Sequence, residues 1–215
     1  MIFENIDCME GMKKYSDDYF DLAIVDPPYG IGVFTCVYRT NNNGKRVKIL
    51  PKNYSDDYTW NNKIPDKEYF TELYRVSKKQ IIWGANYYNC FTKGGALVWY
   101  KGKTTETVSH CEIASLSFQQ KVDYVEINWQ SGFYREMKEG KPIHPCQKPI
   151  KLYEWILYNY AKEGYKILDT HVGSASSLIA CERMGYDYVG FELDKKYYED
   201  ACKRIKEDRI QTKLF

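Results

Sequence analysis

Short apolar runs alternate along this chain with segments in which apolar residues recur at helical spacing. Helices are predicted over about residues 66–78, 149–162, 174–184 and 195–209. The apolar runs predict strands at Phe20–Asp26, Gln80–Gly84, Ala96–Tyr100, Glu112–Phe118, Lys166–Asp169 and Tyr188–Glu192, with a shorter one at Ile2–Ile6. This alternation is typical of an α/β fold, in which helices cover both faces of a mostly parallel sheet. We therefore expect a doubly wound sheet.

Length and composition limit how such a fold is organised. With 215 residues, 44% of them hydrophobic, the chain can bury one sizeable core but is short for two domains. No apolar run is long enough to span a membrane and the start lacks a signal-peptide pattern, so we expect a cytoplasmic protein without membrane contact. The seven Cys residues include no Cys-x-x-Cys pair, which argues against disulfides and against a metal site.

Two segments interrupt the alternating pattern. Residues 30–64 are rich in Asn, Lys, Asp and Tyr and are too long for an ordinary connection, so we expect either a mobile functional loop there or an unordered one. Residues 119–143 are polar and aromatic, and we expect them to form a small insertion between the two halves of the sheet.

The most specific motif is Asp26-Pro27-Pro28-Tyr29, which follows an apolar strand directly. Ligands of doubly wound sheets bind at the carboxyl ends of strands, and two prolines stiffen this turn and remove its backbone donors. The Asp26 carboxylate and the Pro27 carbonyl can then accept both hydrogens of an exocyclic amino group, which frees the nitrogen lone pair to attack a methyl group. Tyr29 offers a stacking face to a base that has left its duplex. The alternative interpretation is a rigid turn without chemistry.

A second motif lies at the end of a later strand. The strand Lys166–Asp169 leads through a tight turn to Gly173, which lets a ligand approach the backbone closely, and N–H groups at the following helix start favour an anion. The spacing lacks Gly-x-Gly-x-x-Gly, which argues against the pyrophosphate of NAD. Glu192 ends the next strand, where a carboxylate takes ribose hydroxyls in nucleotide-binding sheets. Together these features predict a nucleoside site.

With His144-Pro145-Cys146-Gln147-Lys148-Pro149 added, these motifs resemble the DNA amino-methyltransferase family in its beta arrangement, in which the catalytic half precedes the cofactor half. The resemblance covers nearly the whole chain. It implies S-adenosylmethionine as methyl donor and, because an Asp in the first position of the tetrapeptide goes mainly with adenine in that family, N6 of adenine as target. It also implies that Asp7 and Cys8 contact the cofactor's adenine and that Lys148 borders its methionine end. Further cofactor contacts are expected from Asp26, Asp169, Thr170 and Ser174.

The cofactor turn departs from the family pattern at Thr170, His171 and Ala175, where Pro, Phe and a second Gly are usual. We expect the added methyl group of Ala175 to weaken cofactor binding without abolishing it. His171 is interpreted as a packing residue, since methyl transfer to an amine needs no imidazole.

The resemblance implies double-stranded DNA as partner, although a formal charge of +2 gives no indication of it. Residues 119–143 occupy the family's target-recognition position. Trp60 is interpreted equally well as a DNA contact or as an anchor of its loop. The basic candidates, which fit phosphate contacts and solvated loops equally, are Lys45, Arg46, Lys48, Lys101, Lys103, Arg135 and Lys138.

The tail Gln211–Phe215 resembles the short peptide by which bacterial replication proteins dock on the sliding clamp, and a frayed terminus is the alternative interpretation. A monomer and a homodimer both fit the sequence. Two other functions stay open at this point. One is methylation of cytosine N4 or of an RNA base, and the other is a catalytically silent nucleic-acid-binding protein.

Overall fold

The computed structural model describes residues 1–31, 37–40, 43–49, 59–102, 109–129 and 139–212. The strands are β1 Ile2–Asn5, β2 Leu22–Val25, β3 Val37–Thr40, β4 Arg46–Ile49, β5 Gln80–Trp83, β6 Gly95–Tyr100, β7 Cys111–Leu116, β8 Val122–Glu126, β9 Lys166–Asp169 and β10 Asp187–Glu192. The helices are α1 Cys8–Met12, α2 Lys67–Val76, α3 Ala85–Tyr88, α4 Ile150–Tyr160, α5 Ser176–Met184 and α6 Lys195–Thr212, and Thr59–Asn62 form a 3-10 helix.

Eight strands form one sheet in the order β1-β10-β9-β2-β5-β7-β6-β8. Only β7 runs antiparallel to its neighbours within this sheet as described, and the other pairs are parallel. The connections that leave β2 and β9 lead to opposite sides of the sheet, so the crevice between these two adjacent strands is a topological switch point. The predicted doubly wound, mostly parallel sheet is confirmed, and the strand that leads into Asp26 precedes the cofactor half in the chain.

Alternate residues of the central strands point to opposite faces, and each face has its own core. Leu22 and Ile24 of β2 pack into the core beneath α4, α5 and α6. Ala23 and Val25 pack into the core beneath α1 and α2. All four of these β2 residues are at most 1% exposed. Burial on both faces explains why the sequence of β2 is a continuous apolar run, and it fixes the position of the turn that begins at Asp26.

The two segments predicted to be irregular contain regular structure. Within residues 30–64, β3 and β4 form an antiparallel hairpin around Gly44, whose φ of +73° suits a turn. Within residues 119–143, β8 pairs in parallel with β6 at the sheet edge. The sequence did not indicate regular structure in these parts, because exposed edge strands such as β8 carry polar side chains that hide the strand pattern.

Among the residues that the structure describes, no helix combines the length and the apolar character that a bilayer crossing requires.

Candidate active site

A cavity of about 460 Å³ opens at the carboxyl edge of the sheet, between the ends of β2 and β9. Both motifs found in the sequence line it. Asp26-Pro27-Pro28-Tyr29 comes from the end of β2, Gly173 from the turn after β9, and Glu192 from the end of β10. The structure therefore brings together residues up to 166 positions apart, from Asp26 to Glu192, as expected for a ligand site at a switch point.

The catalytic turn is fixed by hydrogen bonds to its own backbone and side chains. The Tyr29 hydroxyl donates to Asp26 Oδ1 at 2.6 Å. The Tyr88 hydroxyl donates to the carbonyl oxygens of Pro27 and Pro28, the latter at 2.9 Å. The Asn61 side chain accepts from the Tyr29 backbone N–H at 2.7 Å. Because prolines supply no donors, these bonds hold a row of oxygen atoms in place at the cavity wall.

The Tyr29 ring lies between two neighbours. It stacks against Tyr87, with ring centroids 4.9 Å apart and an interplanar angle of 17°. The Lys148 ammonium lies 5.7 Å from the Tyr29 ring centroid. Gly84 makes this arrangement possible, because a Cβ at that position would lie 2.3 Å from the ring, and its φ of +74° also favours glycine. A base that stacks on Tyr29 therefore has to use the ring face that Tyr87 does not cover.

Lys148 crosses the cavity floor from the segment before α4. Its side chain is only 4% exposed and forms a short ion pair with Asp26 Oδ2. Burial alone would lower the pKa of Lys148, but Asp26 and Glu112 outweigh it and raise that pKa, so the ammonium group stays protonated. Burial also raises the pKa of Asp26, although Lys148 opposes the shift. Lys148 thus contacts the catalytic carboxylate directly.

The turn after β9 is built around two carboxylates. Glu192 accepts the backbone N–H of Gly173 at 2.8 Å and that of Asp194 at 2.9 Å. Burial raises the pKa of Glu192 to about 7, in spite of these hydrogen bonds. Asp169 accepts from the Ser177 hydroxyl at 2.5 Å and from the His171 N–H at 3.0 Å, and burial raises the pKa of Asp169 to about 6. Gly173 adopts a φ of +53°, in the left-handed region that favours glycine.

Three further residues predicted to bind cofactor, Asp7, Thr170 and Ser174, have partners within the protein. Asp7 caps α1 by accepting the N–H groups of the next turn, at 2.8 Å from Met9. Burial raises the pKa of the neighbouring Cys8 thiol to about 12. The Thr170 hydroxyl lies 2.7 Å from the Tyr69 hydroxyl, and the Ser174 carbonyl accepts from Arg204 at 2.7 Å. Asp7, Cys8, Thr170 and Ser174 all line the cavity.

A family model described as DNA methylase, of the N6/N4 methyltransferase type, matches residues 85–203. The chain belongs to the N6/N4 DNA methylase family. Type II methyltransferase M2.DpnII of Streptococcus pneumoniae is 24% identical to it, over 96% of this chain and 90% of the relative.

Two solved structures share the fold of this methylase. The complex of M1.HpyAVI with S-adenosylmethionine superimposes with a TM-score of 0.58 and 18% identity, covering 94% of this chain and 98% of that one. PvuII DNA methyltransferase, described as cytosine-N4-specific, superimposes with a TM-score of 0.59 and 11% identity, covering 97% and 89%. The protein is accordingly a DNA methyltransferase that uses S-adenosylmethionine.

The cavity of the methylase fits that cofactor. Glu192 presents a buried carboxylate to accept hydroxyl groups, and Gly173 leaves room for a ligand at the backbone. The indole nitrogen of Trp60 is buried in the cavity wall, and it has no acceptor within the described residues. When bound, the cofactor supplies a methyl group on a positively charged sulfur. His144 packs edge-on against Tyr197 and tilted against Trp60, so the cavity wall is aromatic there.

His171 behaves as a packing residue in the methylase, as its sequence context predicts. Burial lowers the pKa of His171 to about 4, which keeps the imidazole neutral at pH 7. Its ring packs edge-on against Tyr69 at 5.4 Å. Ala175 adopts a φ of +62°, so the added methyl group sits on a backbone conformation that glycine would accept more easily.

Only some of the predicted DNA contacts belong to the residues that the structure describes. Trp60 lines the cofactor cavity and packs on His144, with centroids 5.2 Å apart. Lys101 is 7% exposed and ion-paired to Glu112, so it does not suit a phosphate contact, contrary to the expectation from sequence. Lys45 is exposed. Arg46 and Lys48 belong to β4, and Lys103, Arg135 and Lys138 lie outside the described residues.

Sequence reasoning missed three residues of the site, namely Asn61, Tyr88 and Glu112. None stands in a pattern that marks a site by itself. Tyr88 belongs to α3, a four-residue helix too short to show periodicity. Glu112 lies within a predicted strand, where a single carboxylate suggests only a solvent-facing position. The His144-Pro145 pair was noted as part of a motif, but its contacts with the cofactor turn were not foreseen.

Proposed function

We propose that this methylase transfers the methyl group of S-adenosylmethionine to N6 of an adenine that has been flipped out of double-stranded DNA. The observation that carries the proposal is the row of oxygen atoms formed by Asp26 and the Pro27 carbonyl in the wall of the cofactor cavity. An aspartate in the first position of the tetrapeptide, together with the resemblance described above, favours adenine over cytosine.

The chemistry follows from these acceptors. The lone pair of an exocyclic amino group is delocalised into its ring, which makes the nitrogen a poor nucleophile. Hydrogen bonds from its two N–H groups to Asp26 and Pro27 draw the nitrogen toward tetrahedral geometry and localise that pair. The nitrogen would then bond to the methyl carbon while the electron pair of the breaking carbon–sulfur bond stays on the sulfur, which leaves as a neutral thioether, and the nitrogen would afterwards lose one proton to solvent. The charge of Asp26 stabilises the positive charge that develops on the nitrogen.

The cavity supplies the remaining requirements of such a transfer. Tyr29 offers an aromatic face next to the acceptors, and stacking on such faces contributes about 1–3 kcal/mol per base. Apolar and aromatic walls strengthen each polar contact by excluding water. Residues 119–143 and the exposed Lys45 remain the proposed contacts for target sequence and backbone. Docking of residues 211–215 on a sliding clamp stays a prediction, since Lys213–Phe215 lie outside the described residues.

The test is to incubate unmodified DNA and, separately, RNA with the protein and S-adenosylmethionine, and to identify methylated nucleosides by mass after digestion. We expect N6-methyladenine in DNA. N4-methylcytosine or a modified RNA base would contradict the proposed target. Absence of any product, with no heat of cofactor binding in calorimetry, would indicate a silent nucleic-acid-binding relative.

Asp26→Ala tests the mechanism. We expect turnover to fall by about 100- to 1000-fold, because one acceptor for the developing charge is removed. We expect the dissociation constant of S-adenosylmethionine to change by less than about threefold. Asp18→Asn is a suitable control, because Asp18 is exposed, lies before β2 and adopts a left-handed conformation that asparagine tolerates. Full turnover in Asp26→Ala would exclude the proposed role.

A further inference from the structure

Four charged side chains form a continuous buried row behind the catalytic turn. Asp26 pairs with Lys148, Lys148 lies 3.1 Å from Glu112 Oε2, and Glu112 Oε1 pairs with Lys101 at 2.8 Å. The side chains of Lys148 and Lys101 are 4% and 9% exposed, and those of Asp26 and Glu112 are 16% and 24% exposed. Two negative and two positive charges alternate, so the row is neutral as a whole.

One oxygen atom in this row lacks a hydrogen bond. Glu112 Oε2 is buried and accepts no hydrogen bond from the described residues, although the Lys148 ammonium is only 3.1 Å away. Lys148 Nζ instead donates to Asp26 Oδ2 and to the Tyr29 hydroxyl. A small rotation of the ammonium group toward Glu112 would satisfy Oε2.

The position of Lys148 opposes the proposed chemistry. An ammonium group on Asp26 neutralises the charge that should stabilise the developing positive charge on the amino nitrogen. It also occupies one of the oxygens that should accept an amino hydrogen. The other oxygen, Oδ1, already accepts from Tyr29 at 2.6 Å. Each carboxylate oxygen can accept a second hydrogen bond, but the charge of Asp26 acts fully on a substrate only if Lys148 moves to a second anion.

We infer that Glu112 is a positioning residue that takes over the Lys148 ammonium when the amino group of the target base reaches Asp26. In this exchange the base's N–H replaces the lysine N–H at Asp26 Oδ2, and Lys148 donates to Glu112 Oε2. No charge leaves the buried row, so the exchange avoids the cost of an unpaired ion. Lys101 holds the other oxygen of Glu112 and fixes the orientation of the carboxylate. The inference rests on the proposed transfer to a base amino group, but not on which base carries it.

The charge states of the two carboxyl groups agree with this role. Burial alone would raise the pKa of Glu112, but the ammonium groups of Lys148 and Lys101 outweigh it and lower that pKa to about 2, so Glu112 is available as an anion. Burial and the charge of Glu112 raise the pKa of Asp26, whereas Lys148 and the hydrogen bond from Tyr29 lower it. The net pKa is raised. The nearby Asp169 also faces Asp26. Glu112 and Lys148 therefore act on the pKa of Asp26 with opposite signs.

The test compares Glu112→Gln, Lys101→Met and the wild-type protein in single-turnover methylation of unmodified DNA, with saturating S-adenosylmethionine, over a range of pH. In Glu112→Gln, Lys148 has only Asp26 as its anion. We expect the maximal rate to fall by about ten- to a hundredfold. We also expect the acidic limb of the rate profile to move to lower pH, because the pKa of Asp26 falls. Affinity for the cofactor, measured by calorimetry, should change by less than about threefold.

In Lys101→Met the row gains a net negative charge, and Glu112 keeps its hold on Lys148. We expect the acidic limb to move to higher pH, with a smaller loss of maximal rate than in Glu112→Gln. Structural damage alone would not shift the acidic limbs of the two variants in opposite directions. Glu163→Gln is the matched control, because Glu163 is exposed in the connection between α4 and β9, at the opposite edge of the sheet.

An unchanged maximal rate in Glu112→Gln would overturn the inference, as would limbs that move in the same direction. If Glu112→Gln does not fold, the test rests on Lys101→Met. An acidic limb of its rate profile that stays in place or moves to lower pH would refute the role of Glu112. Identification of the nucleoside methylated by the wild-type protein separates this result from the proposed function. A cytosine product would contradict the adenine target and leave the comparison of the variants intact.

Discussion

The Glu192 carboxylate predicts how cofactor binding should depend on pH. Its two oxygens accept the N–H groups of Gly173 and Asp194, and they face the cavity at the end of β10. The hydroxyl groups of a ribose donate stronger hydrogen bonds to a charged carboxylate than to a protonated carboxyl group. The ionised form of Glu192 should therefore bind S-adenosylmethionine more tightly than the protonated form. Because burial raises the pKa of Glu192 to about 7, the change of charge falls within an accessible pH range.

The size of the effect follows from that value. With a pKa of about 7, roughly nine-tenths of Glu192 is ionised at pH 8 and roughly one-tenth at pH 6. If only the ionised form binds, the dissociation constant rises about tenfold across this range, which corresponds to about 1.4 kcal/mol. The same raised pKa means that the ligand-free folded state binds a proton more strongly than the unfolded chain. Its stability should therefore fall as pH rises from about 4.5 to about 7.

Calorimetric titration of S-adenosylmethionine into wild-type protein and Glu192→Gln, at several pH values from 6 to 8, measures this effect. The α-amino group of the cofactor also titrates in this range, at about 7.7–8.0. Its contribution is common to both proteins and cancels in the ratio of their dissociation constants. We expect the advantage of the wild-type protein to shrink about tenfold from pH 8 to pH 6. A ratio that stays constant would show that the charge of Glu192 has no part in binding.

Two further substitutions test how the cavity walls are held. Gly84→Ala places a Cβ 2.3 Å from the Tyr29 ring, so we expect single-turnover methylation to fall at least about tenfold, with cofactor affinity retained. Gly94→Ala meets the same left-handed strain at φ +80° without any atom within 4 Å, and equal losses in both variants would refute the contact with Tyr29 as the cause. Arg204→Met removes the donors to Ser174 and Ser176, and we expect calorimetry to show about tenfold weaker cofactor binding. Glu139→Gln, which keeps those donors, should bind more tightly than Arg204→Met, and the reverse order would contradict this explanation.

Those parts of the site that belong to one strand end could be predicted from sequence. Asp26 follows an apolar run that is buried on both faces, so its place at the carboxyl edge of the sheet follows from strand length and periodicity. The pairing of Gly173 with Glu192 follows similarly from two consecutive strands of the cofactor half. In each case the motif and its neighbouring strand lie close together in the chain.

Contacts between distant segments could not be predicted in this way. Lys148 reaches Asp26 across 122 positions, and Glu112 meets Lys101 only because β6 and β7 pair with Trp99 opposite Glu112. Lys101 stands among basic residues in the sequence, which suggested the protein surface. Burial beside a carboxylate depends on the register between strands, and no local pattern of residues records it.

The reversed direction of β7 has a consequence for how such enzymes can diversify. Because β7 starts at the edge where β6 ends, both ends of the connection between them, Tyr100 and Cys111, lie at the edge of the sheet that carries Asp26, whereas a connection between parallel strands has to run from one edge to the other. The register of the sheet does not depend on how many residues this connection contains. An insertion between β6 and β7 can therefore change which groups lie near Asp26 without changing the sheet.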